Sequence, residues 1–167
     1  MTAPRTLHWL LLACSSLLCA SAGMAQSSGA SPVDPPAGAH LLMTAQGQGL
    51  QIYICTDRQW VLQAPDAKLF NAQGTQIGTH FAGPTWLLND GSQVKGKVLA
   101  TQASPDSKAV PWLLLEAVPN SGSGQFASVA WITRTNTQGG KAPAVVCPGP
   151  GAKLPVAYTA TYSFYTR

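Results

Sequence analysis

Ionisable side chains are scarce in this chain of 167 residues. Charged residues make up 10% of it, with 6 acidic side chains, 10 basic side chains and 3 histidines. The lysines are scattered and form no clustered basic face, so we expect no nucleic-acid partner. Beyond residue 25 only His40 and His80 remain, and no His-x-x-x-His or Cys-x-x-Cys spacing occurs. The sequence therefore predicts no metal site of the zinc type.

Glycine-rich nucleotide loops and nucleophile motifs are also missing. Gln46–Gly49 and Ser121–Gly124 are isolated glycine pairs with no helical pattern after them. A dinucleotide site needs a Gly-x-Gly-x-x-Gly turn between a strand and a helix N-terminus, so we expect no cofactor. Ser92 lacks the Gly-x-Ser-x-Gly elbow that exposes a catalytic hydroxyl.

The N-terminal stretch is typical of export. Arg5 precedes an apolar run from Leu7 to Ala20, and small residues follow up to Ala25. This order predicts a cleaved signal peptide at residues 1–25 and a periplasmic or extracellular protein. A run of roughly 13 apolar residues is shorter than the about 20 that span a bilayer, so no integral membrane span is expected.

Two further segments follow the predicted signal peptide. Residues 26–40 are rich in Ser, Pro, Gly and Ala, which predicts a flexible leader. Residues 41–167 are then one domain. Cys14 and Cys19 leave with the signal, so Cys55 and Cys147 are expected to form a disulfide in an oxidising compartment.

Hydrophobic residues in the domain recur with period two. Leu50, Ile52 and Ile54 alternate with polar or aromatic neighbours, and five residues at even positions from Val156 to Phe164 share one strand face. Further strand candidates are Arg58–Gln63, Lys68–Phe70, Thr85–Leu88, Gln93–Thr101, Trp112–Val118 and Phe126–Arg134, with turns at Ala64-Pro65-Asp66 and Asn89-Asp90-Gly91 among others. No window carries a helical stripe. The pattern predicts an all-β domain, an antiparallel β-sandwich or a small β-barrel, with one disulfide.

His80 and Asp90 are the first candidate site residues. A histidine with a carboxylate partner is common equipment for general acid–base catalysis. The alternative for His80 is a structural hydrogen bond to a turn carbonyl at a strand end. For Asp90 it is an Asx turn within Asn89–Ser92.

Arg134 and Trp86 complete the candidate ligand-binding set. Arg134 precedes a Gly-rich stretch, where a guanidinium beside backbone N–H groups can bind a carboxylate or a phosphate. Its alternative role is an ion pair with Glu116 or Asp90. Trp86 follows the His80 motif and is the tryptophan that we expect to line a pocket; the alternative for each tryptophan is core packing.

Several ordered motifs resemble a known family. They are His80-Phe-Ala-Gly-Pro-Thr-Trp86 with Asp90-Gly-Ser92, Pro111-Trp-Leu-Leu-Leu115, Trp60 with Ala64-Pro65, Arg134 through Pro143, and Tyr158-Thr-Ala-Thr-Tyr-Ser-Phe-Tyr165. Together they resemble the exported bacterial and fungal domain-of-unknown-function family 3455, over about residues 41–165. The resemblance implies a compartment and a shared architecture, but no activity.

These observations favour a monomeric binding or envelope-associated domain over an enzyme. Its ligand would be an unknown small molecule or an envelope component, held near His80, Trp86, Asp90 and Arg134. The alternative is a small hydrolase or isomerase that uses His80 with Asp90 as an acid/base pair. A third possibility is a stable β-body without any concave pocket.

Overall fold

The computed structural model describes Met1 and residues 30–118 and 122–167. Residues 2–25 of the predicted signal peptide lie outside the described residues, as do the beginning of the predicted leader and residues 119–121. Among the described residues, no helix is long and apolar enough to cross a membrane.

The described residues form eight β-strands and one short 3₁₀ helix. The strands are β1 His40–Thr56, β2 Gln59–Phe70, β3 Gln76–Phe81, β4 Thr85–Leu88, β5 Gln93–Gln102, β6 Trp112–Ala117, β7 Trp131–Gly139 and β8 Lys153–Thr166, and the 3₁₀ helix is Gln125–Ser128. Each strand pairs antiparallel with the next, and β8 pairs with β1, so the sheet closes into a barrel. The prediction of an all-β fold with one disulfide is confirmed, and the closed barrel is its form.

Strand β2 corrects one predicted turn. Ala64-Pro65-Asp66 was expected to separate two strands, but β2 runs through it without interruption. Pro65 lacks an N–H and is tolerated only where a ladder bond is not needed. On one side of β2, the pairing with β3 covers only Ala67 to Phe70 and does not reach Pro65. On the other side, the pairing with β1 has a register shift close to the proline, between Ile52 and Tyr53 of β1.

Two other boundaries differ from the prediction. Phe126 was expected to begin a strand, but it lies in the 3₁₀ helix and β7 starts at Trp131. Strand β7 then continues past Arg134 to Gly139, with a bulge between Thr135 and Gln138. Strand β3 had no counterpart among the predicted strands, because its glycine and polar residues give little hydrophobic alternation.

The barrel interior has two chemically different ends. At one end, which we call the closed end, the packed side chains are large and apolar: Leu69, Trp86, Leu88, Val94, Leu115, Phe126, Ile132 and Phe164. At the other end, where β1 finishes and β8 begins, the inward side chains include Gln51, Tyr53, Tyr158 and Arg134. We call this second end the mouth of the barrel.

Strand β1 alternates as predicted, but its buried face is not the more hydrophobic one. Leu50 is 36% exposed, whereas Gln51 is 1% exposed. Strand β8 instead buries the face that its pattern favours, with Tyr158 and Tyr162 inside. The polar mouth therefore arises mainly from β1 and β7.

Part of the predicted leader packs against the barrel. Val33 is buried, and the Ser31 hydroxyl donates to the Gln102 side chain at the end of β5. The Ser31 N–H donates to the Asp34 carboxylate and the Asp34 N–H donates to the Ser31 carbonyl, which closes a turn between them. Residues 30–39 thus form turns on the barrel wall before β1 begins.

The predicted disulfide joins Cys55 and Cys147 across a sequence separation of 92 residues. Both cysteines are buried. The segment between β7 and β8 is also held by main-chain hydrogen bonds from Cys147 to Arg58 and from Gly151 to Cys55. The bond therefore fastens this segment to the hairpin that joins β1 and β2.

We expect removal of the disulfide to destabilise the domain strongly. In the chain-entropy model, a bridge that closes a loop of this length lowers the free energy of the folded state relative to the unfolded chain by about 4–5 kcal/mol. Denaturant unfolding of the double variant Cys55→Ala/Cys147→Ala checks this value. A loss below about 1 kcal/mol would contradict it.

Candidate functional site

His80 lies inside the barrel on β3, opposite Trp86 of β4. The turn between the two strands contains Gly83 with φ 88°, which lets the chain reverse within a few residues. This reversal brings the Thr85 carbonyl oxygen 2.8 Å from His80 Nδ1. Because a carbonyl only accepts, Nδ1 carries the proton and donates it.

The His80 ring is neutral at physiological pH. Burial lowers its pKa to about 4, since the charged form is penalised away from water; the hydrogen bond to Thr85 opposes this shift, and the positive charge of Arg134 adds to it. The ring stacks on Trp86 with centroids 4.4 Å apart and planes at 12°, and Tyr162 lies 5.0 Å away. His80 is thus part of a packed aromatic group.

Asp90 lies near the closed end and serves a different purpose. Its Oδ1 accepts from the Ser92 N–H at 2.8 Å and from the Ser92 hydroxyl at 2.6 Å, which is an Asx turn. Its Oδ2 accepts from the Gln125 N–H at 3.0 Å. The Ser92 hydroxyl and then the Gln125 N–H hold the pKa of the carboxyl below its usual range. Asp90 therefore fastens the 3₁₀ helix to the turn between β4 and β5.

The structure does not bring Asp90 to His80. Trp86 is the partner of His80 in the ladder, whereas Asp90 lies beyond the end of β4, in the turn that follows Leu88. Ser92 is buried, and its oxygen also accepts from the Phe126 N–H. None of the three side chains is arranged as an acid/base pair or as an activated nucleophile.

Arg134 points into the mouth end of the barrel from the middle of β7. It is 9% exposed, and its Nε and Nη2 atoms both donate to the Pro111 carbonyl oxygen, at 3.0 and 2.8 Å. The alternative ion pairs with Glu116 or Asp90 are not formed. Within residues 30–118 and 122–167, no carboxylate lies within ion-pair distance of the guanidinium.

Four uncharged side chains are connected to Arg134 directly or through one another, and together we call the five residues the polar cluster: Gln51, Tyr53, Tyr158, Tyr162 and Arg134. The Tyr162 hydroxyl lies beside the guanidinium and 3.1 Å from the Tyr158 hydroxyl. The Tyr53 hydroxyl donates to the Gly140 carbonyl at 2.7 Å. The Gln51 amide lies next to Tyr158, but neither its Nε2 nor its Oε1 makes a well-formed hydrogen bond.

The tyrosines of the polar cluster remain protonated. Burial raises the pKa of Tyr53, of Tyr158 and, most strongly, of Tyr162, because a phenolate would be poorly solvated there. Since His80 is neutral and the guanidinium is a permanent cation, this part of the interior carries a single positive charge.

Two glycines make room for the polar cluster. A Cβ on Gly47 would lie 2.5 Å from the Tyr162 ring, so only glycine lets that ring fill the space across β1. Gly140 has φ 82°, and a Cβ there would lie 2.7 Å from the Tyr158 Cβ. Gly47 belongs to one of the isolated glycine pairs in the sequence, whose role is therefore close packing.

A cavity of about 460 Å³ opens at the mouth. It is lined by Tyr53, by residues 103, 104, 106, 107 and 109–111, and by Lys141. Pro111 forms the inner wall, and its carbonyl oxygen is the acceptor for Arg134. A separate hollow of about 340 Å³ near the closed end includes Asp90. Asp90 and Arg134 therefore face different ends of the molecule.

Of the candidate residues, His80 and Trp86 are in contact, and Tyr162 links them to Arg134. Trp86 is 1% exposed and packs in the core instead of lining either hollow. Sequence reasoning missed Gln51, Tyr53, Tyr158 and Tyr162 as site residues. The even spacing of the β8 tyrosines was a usable signal, because it places both hydroxyls on the buried face.

The described residues contain no group of three or more His, Cys, Asp or Glu side chains that could hold a metal ion.

A family model with the description "Protein of unknown function (DUF3455)" matches residues 36–166. Comparison with curated proteins gives no match.

We expect acid to destabilise the domain through His80. The unfolded chain takes up the proton near the ordinary pKa of 6.5, whereas the folded protein takes it up only at about 4. The free energy of unfolding therefore falls by about 3 kcal/mol between pH 7 and pH 4. Denaturant unfolding across this range checks the value.

The control for this prediction compares two phenylalanine variants. His80→Phe should lose this part of the pH dependence, whereas His40→Phe, at the exposed start of β1, should keep it. Identical pH profiles for the wild type and His80→Phe would contradict the prediction.

Proposed function

The chain belongs to the DUF3455 family, whose function is unknown, and from its own site we propose that it is an exported domain that binds a small molecule at the mouth of the barrel. The observation that carries the proposal is Arg134. A cation without a carboxylate partner is costly inside a protein, by several kcal/mol. A ligand that supplies an acceptor would offset this cost.

The mouth cavity has suitable dimensions for such a ligand. Its volume of about 460 Å³ falls within the range of roughly 300–1,000 Å³ that is typical of small-molecule sites. Its wall combines apolar surface from Val110 and Pro111 with polar groups from Tyr53 and Lys141. A few polar groups on an apolar wall are the usual means of orienting a small molecule.

The interior at the opposite end of the barrel is filled, and its hollows of about 430 and 340 Å³ lie outside that packing. Phe126 and Phe164 pack with ring centroids 4.5 Å apart and, with Trp86, fill the interior there. Asp90 and Ser92 keep the 3₁₀ helix in place over this packing. We therefore assign binding to the mouth and structural support to the closed end.

Binding without catalysis agrees best with the titratable groups. The pKa of His80 is lowered to about 4 by burial, so the ring is a poor base near neutral pH. Its Nδ1 proton is already committed to Thr85. The hydrolase or isomerase alternative gains no support from the positions of His80 and Asp90.

An exported location agrees with the disulfide. Cys55 and Cys147 are joined and buried, and such bridges persist chiefly in oxidising compartments. The predicted signal peptide supports the same location. The ligand is accordingly a small molecule of the periplasm or the cell exterior, or a soluble fragment of an envelope component.

Thermal unfolding with a compound panel tests the proposal. We would use hexanoate, benzoate, hexanamide, benzamide, benzylamine and glucose, and expect at least one to raise the Tm of the wild type. At a ligand concentration of ten times Kd the stabilisation is about 1.4 kcal/mol, which corresponds to roughly 3–6 °C for a domain of this size.

Two tryptophan variants locate the binding site. Ser104→Trp places a large side chain in the mouth cavity and should abolish the rise in Tm, whereas Ser128→Trp, at the opposite end, should preserve it. A panel without any effect on the wild type would count against the proposal. An undiminished rise in the Ser104→Trp variant would count equally against the mouth as the site.

A further inference from the structure

We propose that the ligand is a small organic monocarboxylate, whose carboxylate group binds to Arg134 and Gln51 in the polar cluster and whose body occupies the mouth cavity. The inference rests on the proposed function and names the chemical class of its ligand. It is carried by the charge of the cluster, by the Gln51 amide, which makes no well-formed hydrogen bond, and by the position of Pro111.

The charge of the polar cluster favours a monoanion. Arg134 is the only permanently charged side chain among the buried residues that the structure describes. One carboxylate neutralises it. A phosphate monoester carries about −1.5 to −2 charges near pH 7 and would leave excess negative charge in a poorly solvated place. A neutral ligand would leave the guanidinium without a counter-charge.

Gln51 supplies a second polar group, whose hydrogen bonding is incomplete. It is 1% exposed, and neither polar atom of its amide makes a well-formed hydrogen bond, although the Tyr158 hydroxyl lies beside it. Buried polar groups are nearly always paired, and each exception needs an explanation. A carboxylate oxygen at this position would accept from Gln51 Nε2, while the second oxygen would accept from Arg134.

The tyrosines connect these two groups. The hydroxyls of Tyr158 and Tyr162 are 3.1 Å apart, with Gln51 beside the first and Arg134 beside the second. Because both hydroxyls stay protonated, each can donate to an anion as well as accept from a neighbour. The row from Gln51 to Arg134 therefore presents several donors to one anionic group.

The mouth cavity adjoins this row through two of its lining residues. Pro111 and Tyr53 line the cavity, and they are also the residues that touch or face Arg134. Arg134 keeps 9% of its surface exposed, so it is not fully enclosed. The Tyr53 hydroxyl donates to the Gly140 carbonyl, which fixes this side chain between the cavity and the polar cluster.

Lys141 gives the mouth a second positive charge farther out. Its Nζ donates to the Ser107 carbonyl at 3.2 Å on the rim of the cavity. Asp106 lies on the same rim. The charges of Lys141 and Asp106 largely cancel at the rim. The charge that favours an anionic over a neutral ligand is therefore that of the buried Arg134.

Isothermal titration of the full chain with matched pairs of compounds tests the ligand class. The pairs are hexanoate with hexanamide and benzoate with benzamide, which differ in charge but hardly in shape. We expect at least one acid to bind at least tenfold more tightly than its amide. Phenyl phosphate should bind more weakly than benzoate.

Variants of the polar cluster test the residues. Arg134→Met should weaken binding of the acid by tenfold to hundredfold, as is typical for the loss of a hydrogen-bonded charge. Gln51→Leu should weaken it by about tenfold and leave the Tm unchanged or higher, because it removes an unpaired amide. Arg58→Met, at the exposed turn between β1 and β2, makes the same change in net charge and should have no effect.

The outcomes separate this inference from the proposed function. Equal affinity for the amides, or an equal loss in Arg58→Met, would overturn the carboxylate assignment while small-molecule binding at the mouth stands. If glucose or benzylamine binds and the acids do not, and Ser104→Trp abolishes that binding, the carboxylate assignment is likewise overturned while the mouth remains the binding site. No binding by any compound would overturn both. If Arg134→Met does not fold, Gln51→Leu and the acid–amide pairs in the wild type still decide.

Discussion

The ladder between β1 and β8 closes the sheet, and the interior exists only because of it. It extends from the pair His40 and Thr166 to the pair Ile54 and Lys153, nearly the full length of both strands. Closure removes the free edges of the sheet, which would otherwise be open to pairing with other chains. It also places Gln51 on β1 within the same interior as Tyr158 on β8. The polar cluster is therefore a product of closure and does not belong to any single hairpin.

The two ends of the interior show how one barrel combines stability with a costly site. At the closed end, Trp86, Phe126 and Phe164 bury large apolar surfaces, and Asp90 secures the 3₁₀ helix over them. At the mouth, burial of the Arg134 charge and of the incompletely hydrogen-bonded Gln51 amide reduces stability. The division is physically sensible, because a buried cation without a carboxylate partner must be supported by packing elsewhere.

Local patterns in the sequence predicted the fold well where neighbours along the chain decide the structure. The alternation from Val156 to Phe164, the Asn89-Asp90-Gly91 turn and the Cys55–Cys147 bridge all occur as expected. Pro65 misled the assignment, since a proline next to a bulge looks like a turn residue when the partner strand is not known.

The site was harder to predict because it depends on contacts between distant strands. Arg134 was identified as a candidate, but its acceptor at Pro111 comes from the start of β6 and was not expected. Gln51 was passed over because hydrophobicity alone would have turned it outward. Its burial follows from the register of β1 with β8, and no local pattern encodes that register.

The disulfide shortens the effective chain separation between β1 and β8. Cys55 is the second-last residue of β1 and Cys147 lies six residues before β8, so the bond encloses all the strands from β2 to β7 in one covalent loop. In the oxidised chain, β1 and β8 are effectively neighbours, and their ladder can form like that of a hairpin with a short connection. Closing a long loop costs chain entropy, and this cost ordinarily slows the pairing of strands that are distant in sequence. In the oxidised chain the covalent bond has already closed the loop, so strand pairing no longer carries that cost. The time at which the bond forms thus matters for folding: a chain that oxidises early has its most demanding strand pairing prepared before the rest of the sheet is assembled.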